Sequence, residues 1–390
     1  MKINTLTEEQ YIDSMDLSMY AFQYRIKEEE IAGRKEKLKD HTILGIYEDQ
    51  NLAAKLHIIP LEITMGEHKW KMGGVAGVAT YPEYRRKGYV RELIVEALKK
   101  MREENQIVSL LHPFDIGFYR KFGWEIFSDN QKIVIDKKEL RINNIQKGRI
   151  QRFTKETHQG EIERVYQEYA SKYMGMLVRD AKWWKESIYH DAQLALYRNE
   201  HEEAKGYILY KVSERKLDVM EMVALNQEAR AGLWNFICQH DSMVEQVTML
   251  LSVHDHFQYL FHQPKLKMEV YPYFMARLVD VEKCLKQYPF AGMDDSVFLH
   301  VEDEYAPWNN GSYLIGKGKV QSFKEKSGSR CVEVPKRGIQ VNSNALTAIL
   351  FGYKRPVDLH EMELIQGSED EIATLERMIP AKKPFFYDFF

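Results

Sequence analysis

The sequence predicts an α+β protein of three successive units, and three observations carry that expectation. At 390 residues the chain is too long for a single hydrophobic core, and 44% hydrophobic with 29% charged residues are globular proportions. The first third alternates helical and strand patterns in the order helix, helix, three strands, basic turn, helix, strand, short aromatic helix, strand. The middle third repeats this outline, and beyond about residue 273 the texture changes again. The expected units are therefore 1–145 and 146–272, each with a mixed sheet, and a smaller α/β unit over 273–390.

Thr7-Glu-Glu-Gln10 reads as a capping box that opens a helix through Tyr11, Ile12, Met15 and Met19. The charged run from Lys27 to Lys39 reads as a second, more exposed helix. Thr42–Tyr47, Leu52–Thr64 and Trp70–Thr80 then form an antiparallel meander. Pro82 stops the third strand because it has no N–H for a ladder. After the turn Arg85-Arg86-Lys87-Gly88, the residues Val90, Leu93, Ile94, Ala97, Leu98 and Met101 recur at helical spacing. Such a strand, basic glycine turn and helix start can hold phosphate. The first helical N–H groups lack partners, the dipole is positive there, and Gly88 permits close approach. An ordinary connection with solvated charges has the same spacing. Ile107–Leu111 reads as a buried strand, Phe114–Trp124 as a short aromatic helix closed by Gly123, and Gln131–Ile135 as the last strand.

In the middle unit Gly160–Met174 reads as a helix, and Leu194–Tyr197, Gly206–Val212 and Leu217–Leu225 as strands. A helix around Leu233–Cys238 and a strand over Val247–Leu251 follow. The turn corresponding to the basic one is Asn226–Gly232, which has a single arginine, Arg230, and a central acid. A second copy without a working phosphate cradle is expected, an independent α+β unit being the alternative. In the last unit a helix carries Cys284 and Leu285. Strands are expected at Val297–Val301, Tyr313–Ile315, Cys331–Val334 and Ile339–Val341, and helices at Asn344–Phe351 and Ile372–Met378.

A net charge of -3 gives no reason to expect nucleic acid or an anionic membrane as partner. Three separated cysteines, Cys238, Cys284 and Cys331, suggest neither a disulfide framework nor a metal site. His254-x-His256 lacks nearby carboxylate or cysteine partners, so no metal is expected. The N-terminus has no apolar stretch of signal length and no later run approaches a membrane span, which makes a cytoplasmic location the expectation.

The element order, with Arg85-x-x-Gly88 and Tyr119-x-x-Phe122-Gly123-Trp124, resembles the GNAT superfamily of GCN5-related N-acetyltransferases. Its Arg/Gln-x-x-Gly-x-Gly/Ala loop cradles the pyrophosphate of acetyl-coenzyme A. Here the sixth position is Val90, a departure from the pattern. The last unit resembles a sterol-carrier-protein-like domain, so the whole layout is similar to the enhanced-intracellular-survival acetyltransferases. That resemblance implies coenzyme A contacts at Val78, Ala79 and Thr80 and at Arg85, Arg86, Lys87, Gly88, Tyr89, Val90 and Arg91. It implies Tyr119 as general acid and the Phe390 carboxylate as general base. It further implies primary-amine acceptors, on aminoglycosides or lysine side chains, and a homohexamer.

The segment Phe385-Phe-Tyr-Asp-Phe-Phe390 has five aromatics among six residues. Left exposed it would invite association, so burial is expected. Desolvation among Phe385, Phe386 and Phe389 would raise the terminal carboxyl towards the range useful for a base. A merely structural tail is the simpler alternative. Two other functions stay open: a lipid- or acyl-coenzyme A-binding protein with an inert first unit, and an enzyme that uses a longer acyl donor.

Overall fold

The computed structural model describes residues 2–142, 147–255, 257–261, 264–292, 294–323 and 337–390. The capping box forms as expected, with the Gln10 side chain accepting from the Thr7 N–H at 3.0 Å. It leads into α1 (Tyr11–Phe22), and α2 (Glu28–Leu38) has no buried side chain. After β1 (Ile3–Thr5) and these helices, the meander comprises β2 (Thr42–Glu48), β3 (Asn51–Met65) and β4 (His68–Thr80). Helix α3 (Tyr89–Glu103) buries Leu93, Ile94, Ala97, Leu98 and Met101, the stripe read from the sequence. It crosses over to β5 (Val108–Leu111), parallel to β4. The aromatic helix α4 (Ile116–Arg120) ends in a turn at Gly123, whose φ of 88° favours glycine. Strand β6 (Glu125–Asp136) follows and is longer than the expected 131–135.

The middle unit repeats this plan with two unexpected strands. An edge strand, β7 (Arg149–Phe153), precedes α5 (Gly160–Ala170). The helix expected to reach Met174 stops at Ala170, and Tyr173–Leu177 is strand β8, paired with β3 of the first unit. Met174, Met176 and Leu177 are all fully buried. A short run buried on both faces shows neither the helical nor the strand period, and its strand geometry comes from pairing with β3. A short helix, α6 (Ala181–Trp183), precedes β9 (Gln193–Arg198), β10 (Ala204–Ser213) and β11 (Lys216–Ala224). The expected turn over 226–232 is not a loop. Asn226 caps α7 (Gln227–Cys238) by accepting from the Ala229 N–H at 2.8 Å, so the helix starts directly behind the strand. Strand β12 (Gln246–Ser252) then lies parallel to β11, as β5 does to β4.

Both units share one sheet in the order β1-β2-β3-β4-β5-β13-β6-β12-β11-β10-β9-β7, with β8 off the path. β13 (Lys267–Leu278) sits between β5 and β6, so the expected 272/273 division falls within this strand. A second sheet, ordered β16-β15-β14-β17, comprises β14 (Ser296–Glu302), β15 (Gly311–Gly316), β16 (Lys319–Phe323) and β17 (Ile339–Asn342). It is accompanied by α8 (Val281–Gln287), α9 (Ser343–Leu350), α10 (Pro356–Glu361) and α11 (Glu369–Met378). β16 and α10 were not expected. The expected strand at Cys331–Val334, with His256, lies outside the described residues. Among the described residues no helix is long and apolar enough to cross a membrane.

Under α1 lies a cluster of basic side chains, Lys55 and His57 buried and His41 half-buried. Lys55 Nζ donates to Ser18 Oγ at 2.6 Å and meets His57 Nε2 at 2.7 Å, and His57 Nδ1 meets His41 Nδ1 at 3.2 Å. Burial lowers the Lys55 ammonium to about 7 and His41 to about 4, and drives His57 down as well. A folded pKa below the unfolded one means that the unfolded chain binds more protons in the interval. Stability therefore falls as pH drops from about 6.5 towards about 4 for His41. Melting temperature measured across that interval should fall less steeply for His41→Asn than for the native protein. Equal slopes would remove His41 from the account.

Candidate active site

The parallel pair β4 and β5 holds together for three rungs, Met72↔Val108, Gly73↔Ser109 and Gly74↔Leu110, and then parts. Beyond Gly74, β4 runs on to Thr80 beside β3 alone, through a bulge at Gly77, whose φ is 55°. The Tyr81 N–H bonds Ala53 O on β3 at 3.1 Å. Strand alternation then turns the N–H of Ala79 to the same side and those of Val78 and Thr80 to the other, into the wedge. Ala79 is buried by its side chain in the α1 cluster, so Val78 and Thr80 are the strand's available donors.

The basic turn continues this surface. Arg85, Arg86, Lys87, Gly88 and Arg91 are exposed. Arg86 (φ 64°) and Gly88 (φ 82°) take left-handed backbone, and no atom lies within 4 Å of a Cβ built on Gly88. Among the described residues no backbone carbonyl accepts from the N–H groups of Arg86 through Arg91. This is an array of open donors at a helix N-terminus, with the cationic side chains of Arg85, Arg86, Lys87 and Arg91 around it, and it fits a pyrophosphate. Tyr89 is buried and its hydroxyl donates to Glu48 Oε1 at 2.5 Å, which fixes the first turn. Val90 packs on the apolar cluster beneath α3 rather than into the cradle. The missing small residue at this position therefore blocks nothing.

Tyr119 projects from α4 and is 4% exposed. Its ring meets Phe114 (5.5 Å), Phe118 (5.1 Å) and Trp124 (6.3 Å). Burial raises its phenol well above the ordinary value, so it stays protonated at neutral pH. Val75 and Leu111, one step beyond the last rung of the wedge, belong to the same apolar cluster as Tyr119. The helix carrying it is braced from behind by Arg277, which is fully buried. Arg277 donates to Phe122 O at 2.7 Å and to Asp303 Oδ1 at 2.7 Å.

The segment that holds Phe390 reaches the wedge from the opposite direction. The Phe390 ring lies over Gly74, where a Cβ would stand 2.7 Å from Cε2, and 5.1 Å from the ring of Phe274. Gly74 is the last β4 residue paired with β5, so Phe390 marks the apex of the wedge. Phe385 and Phe386 are fully buried as expected, but Phe389 is 63% exposed, its ring 5.2 Å from that of His112. Phe389 therefore adds no desolvating wall.

Sequence reasoning missed the residues that hold this segment. The strand β18 (Lys383–Pro384) pairs with β8, and the Phe385 N–H donates to Met174 O at 3.2 Å. Asp388, 3% exposed, accepts from Arg179 Nε at 2.9 Å, Trp183 Nε1 at 2.8 Å and the Tyr166 hydroxyl at 3.3 Å. Arg179 also grips Glu221 with its other two nitrogens, at 2.9 and 2.6 Å. The one sequence signal was Glu221 itself, an acid at a buried step of β11. Beside this group a cavity of about 820 Å³ is lined by Arg34, Lys37, Glu186, Met220, Tyr387 and Phe389, among others.

Comparison with known proteins agrees with this architecture. Two acetyltransferase (GNAT) domain models match residues 2–127 and 175–278, and a sterol carrier protein domain model matches 281–387. The N-acetyltransferase Eis of Mycobacterium bovis is 25% identical over 238 residues, which cover 57% of this chain and 56% of that protein. The chain thus spans about half the length of the curated relatives it matches most strongly. A probable N-acyltransferase from Enterococcus faecalis V583 superposes with a TM-score of 0.91 at 24% identity, covering 100% of this chain and 99% of that one. Eis1 of Mycobacterium abscessus does so with a TM-score of 0.81 at 18% identity over 100% of both chains. At these identities the structures establish a shared fold. With two GNAT domains that together span more than half of the chain, followed by a sterol carrier protein domain, the chain belongs to the GNAT N-acetyltransferase family and is similar to the Eis N-acetyltransferases.

Proposed function

We propose that the protein transfers the acetyl group of acetyl-coenzyme A to a primary amine, with the Phe390 carboxylate as general base and Tyr119 as general acid. The observation that carries this reading is the wedge: open backbone donors line one arm and Phe390 stands at its apex. Arg85, Arg86 and Lys87, with the N–H groups of the α3 start, would hold the pyrophosphate. The Val78 and Thr80 amides would orient and polarise the thioester carbonyl. Acetyl-coenzyme A supplies an activated acyl carbon with a thiolate leaving group.

An alkylammonium with a pKa near ~10.4 must lose a proton before its nitrogen can attack. The Phe390 carboxylate takes that proton. The C–N bond forms as the C–S bond breaks, and Tyr119, kept neutral by burial, protonates the departing thiolate. The second proton lost from the nitrogen as the amide forms restores the Tyr119 hydroxyl, and Phe390 returns its proton to solvent. Asp388 does not compete as base, because its carboxylate oxygens already accept from Arg179, Trp183 and Tyr166.

The acceptor is an aminoglycoside-type polyamine or a lysine side chain, seated in the cavity beside Phe389. That space of about 820 Å³ admits a molecule larger than a simple alkylamine. Glu30 and Glu186 face it alongside Arg34 and Lys37, so it offers carboxylate partners for ammonium groups. A cytoplasmic location and a homohexameric assembly complete this reading. They rest on likeness to the family rather than on a contact in the chain.

Appending two glycines after Phe390 should reduce thiol release from acetyl-coenzyme A by about 10²-fold or more, while melting temperature and coenzyme A binding hold. Undiminished turnover would sink the terminal base. Tyr119→Phe should lower kcat by a similar factor with KM for acetyl-coenzyme A unchanged, and an unaltered kcat would remove its acid role. Arg86→Glu should weaken coenzyme A binding by about tenfold in calorimetry, without loss of fold. Equal affinity would move the phosphate site elsewhere.

A further inference from the structure

The second GNAT unit repeats the wedge of the first. β11 and β12 pair in parallel over four rungs, Lys216↔Gln246 to Val219↔Met249, and then part. Here the wedge is not left open to a ligand. The Tyr387 hydroxyl enters it, donating to Met222 O at 2.9 Å and accepting from the Met222 N–H at 3.3 Å. Those are strand groups beyond the last rung, corresponding to the donors of β4 in the first wedge. With α7 starting directly behind β11, there is also no loop to cradle a phosphate.

One residue on, Asp388 is fastened from several elements at once. Arg179 reaches it from behind β8, Trp183 from α6 and Tyr166 from α5, while the Tyr273 hydroxyl of β13 donates to its backbone carbonyl at 3.0 Å. Arg179 is held in turn by Glu221 of β11, which also accepts from Tyr207, and lies 3.9 Å above the Tyr166 ring. Arg179, Glu221 and Asp388 are all almost completely buried. Phe390 follows two residues later, over Gly74.

We propose that the second GNAT unit serves as a socket for the 383–390 segment, in which Tyr387 occupies the vestigial wedge and the Glu221–Arg179–Asp388 group positions the Phe390 carboxylate at the working one. The inference rests on the reading of that carboxylate as base. Arg179, Glu221 and Asp388 touch neither substrate in this scheme and are positioning residues. The two residues between Asp388 and the carboxylate give it only a short tether, so slackening Asp388 lets the base wander by ångströms. Misplacement on that scale costs about 10²-fold in rate.

The test compares four full-length proteins: native, Asp388→Asn, native with two added glycines, and Asp388→Asn with two added glycines. Thiol release is measured against pH with an amine acceptor, together with KM for acetyl-coenzyme A, melting temperature and the rate at which a carboxypeptidase selective for aromatic termini releases Phe390. Asp388→Asn is expected to lose about 10²-fold in kcat with KM for acetyl-coenzyme A within twofold, and to release Phe390 faster. The added glycines should cost far less in that background than in the native one, because the two changes disable the same step. Arg179→Lys, which keeps the charge and loses the fork, should fall between the native protein and Asp388→Asn. Loss of turnover on glycine addition, with full kcat and slow Phe390 release in Asp388→Asn, overturns the socket and leaves the base standing. Full turnover on glycine addition overturns both. A fall in kcat that merely follows a fall in melting temperature, with Phe390 release unchanged, overturns the positioning role in favour of a purely structural one.

Discussion

The buried contact between Arg179 and Asp388 is the constraint on which the rest of this molecule depends. A guanidinium and two carboxylates, all but sealed from water, are costly to desolvate, and their attraction repays that cost only when each lone pair is matched. Here the matching is close: Glu221 takes two guanidinium nitrogens, Asp388 takes the third, and Trp183 and Tyr166 supply the remaining donors to Asp388. Removing one partner from such a group leaves an uncompensated charge, a loss of about 3–5 kcal/mol. That is a large fraction of a typical domain's net stability. An apolar replacement of the whole group would cost little in stability. Its retention is therefore better explained by geometry, since it fixes where Phe390 stands.

The same device appears a second time. Arg277 is buried as completely, bonds Asp303 and the Phe122 carbonyl, and crowds Gly123 so closely that a Cβ there would stand 3.0 Å from Nε. One buried arginine thus ties the aromatic helix of Tyr119 to β13 and the following unit, and the other ties the Phe390 segment to the second GNAT unit. The proposed acid and base come from distant parts of the chain, and neither is placed by its own local structure. Each is placed by an arginine whose planar, permanently charged fork accepts no nearby alternative.

Much of the fold was legible because its elements carry strong local signals. The stripe of α3, the capping box at Thr7 and the meander ending at Pro82 are local patterns of period or chemistry, and each formed where expected. What escaped were elements whose conformation is decided by distant partners. β8 is buried on both faces and owes its strand geometry to β3 and to β18, over 200 residues later. Asn226 looked like a turn residue, whereas capping α7 is the other common use of the same side chain. In the candidate site the basic turn and Tyr119 stand out in the sequence by spacing and family likeness. The socket was not, because Arg179 stands alone in sequence and its partners lie 42 and 209 positions away.

One sheet plan, used twice, has reached two outcomes, and the difference lies in a few residues at the wedge. In the first unit the eight-residue connection 81–88, with Arg86 and Gly88 in left-handed backbone, leaves donors open, and Gly74 gives room for one ring at the apex. In the second, β11 runs straight into a capped helix, and the strand donors that a ligand would use are satisfied by Tyr387. An unoccupied second wedge would leave buried peptide groups without partners, a standing cost that selection can remove by filling it. Filling it with the segment that leads to Phe390 links the two wedges mechanically. The second wedge then has a use, because its strand geometry holds Tyr387 at a fixed depth, and with it the residue three positions on.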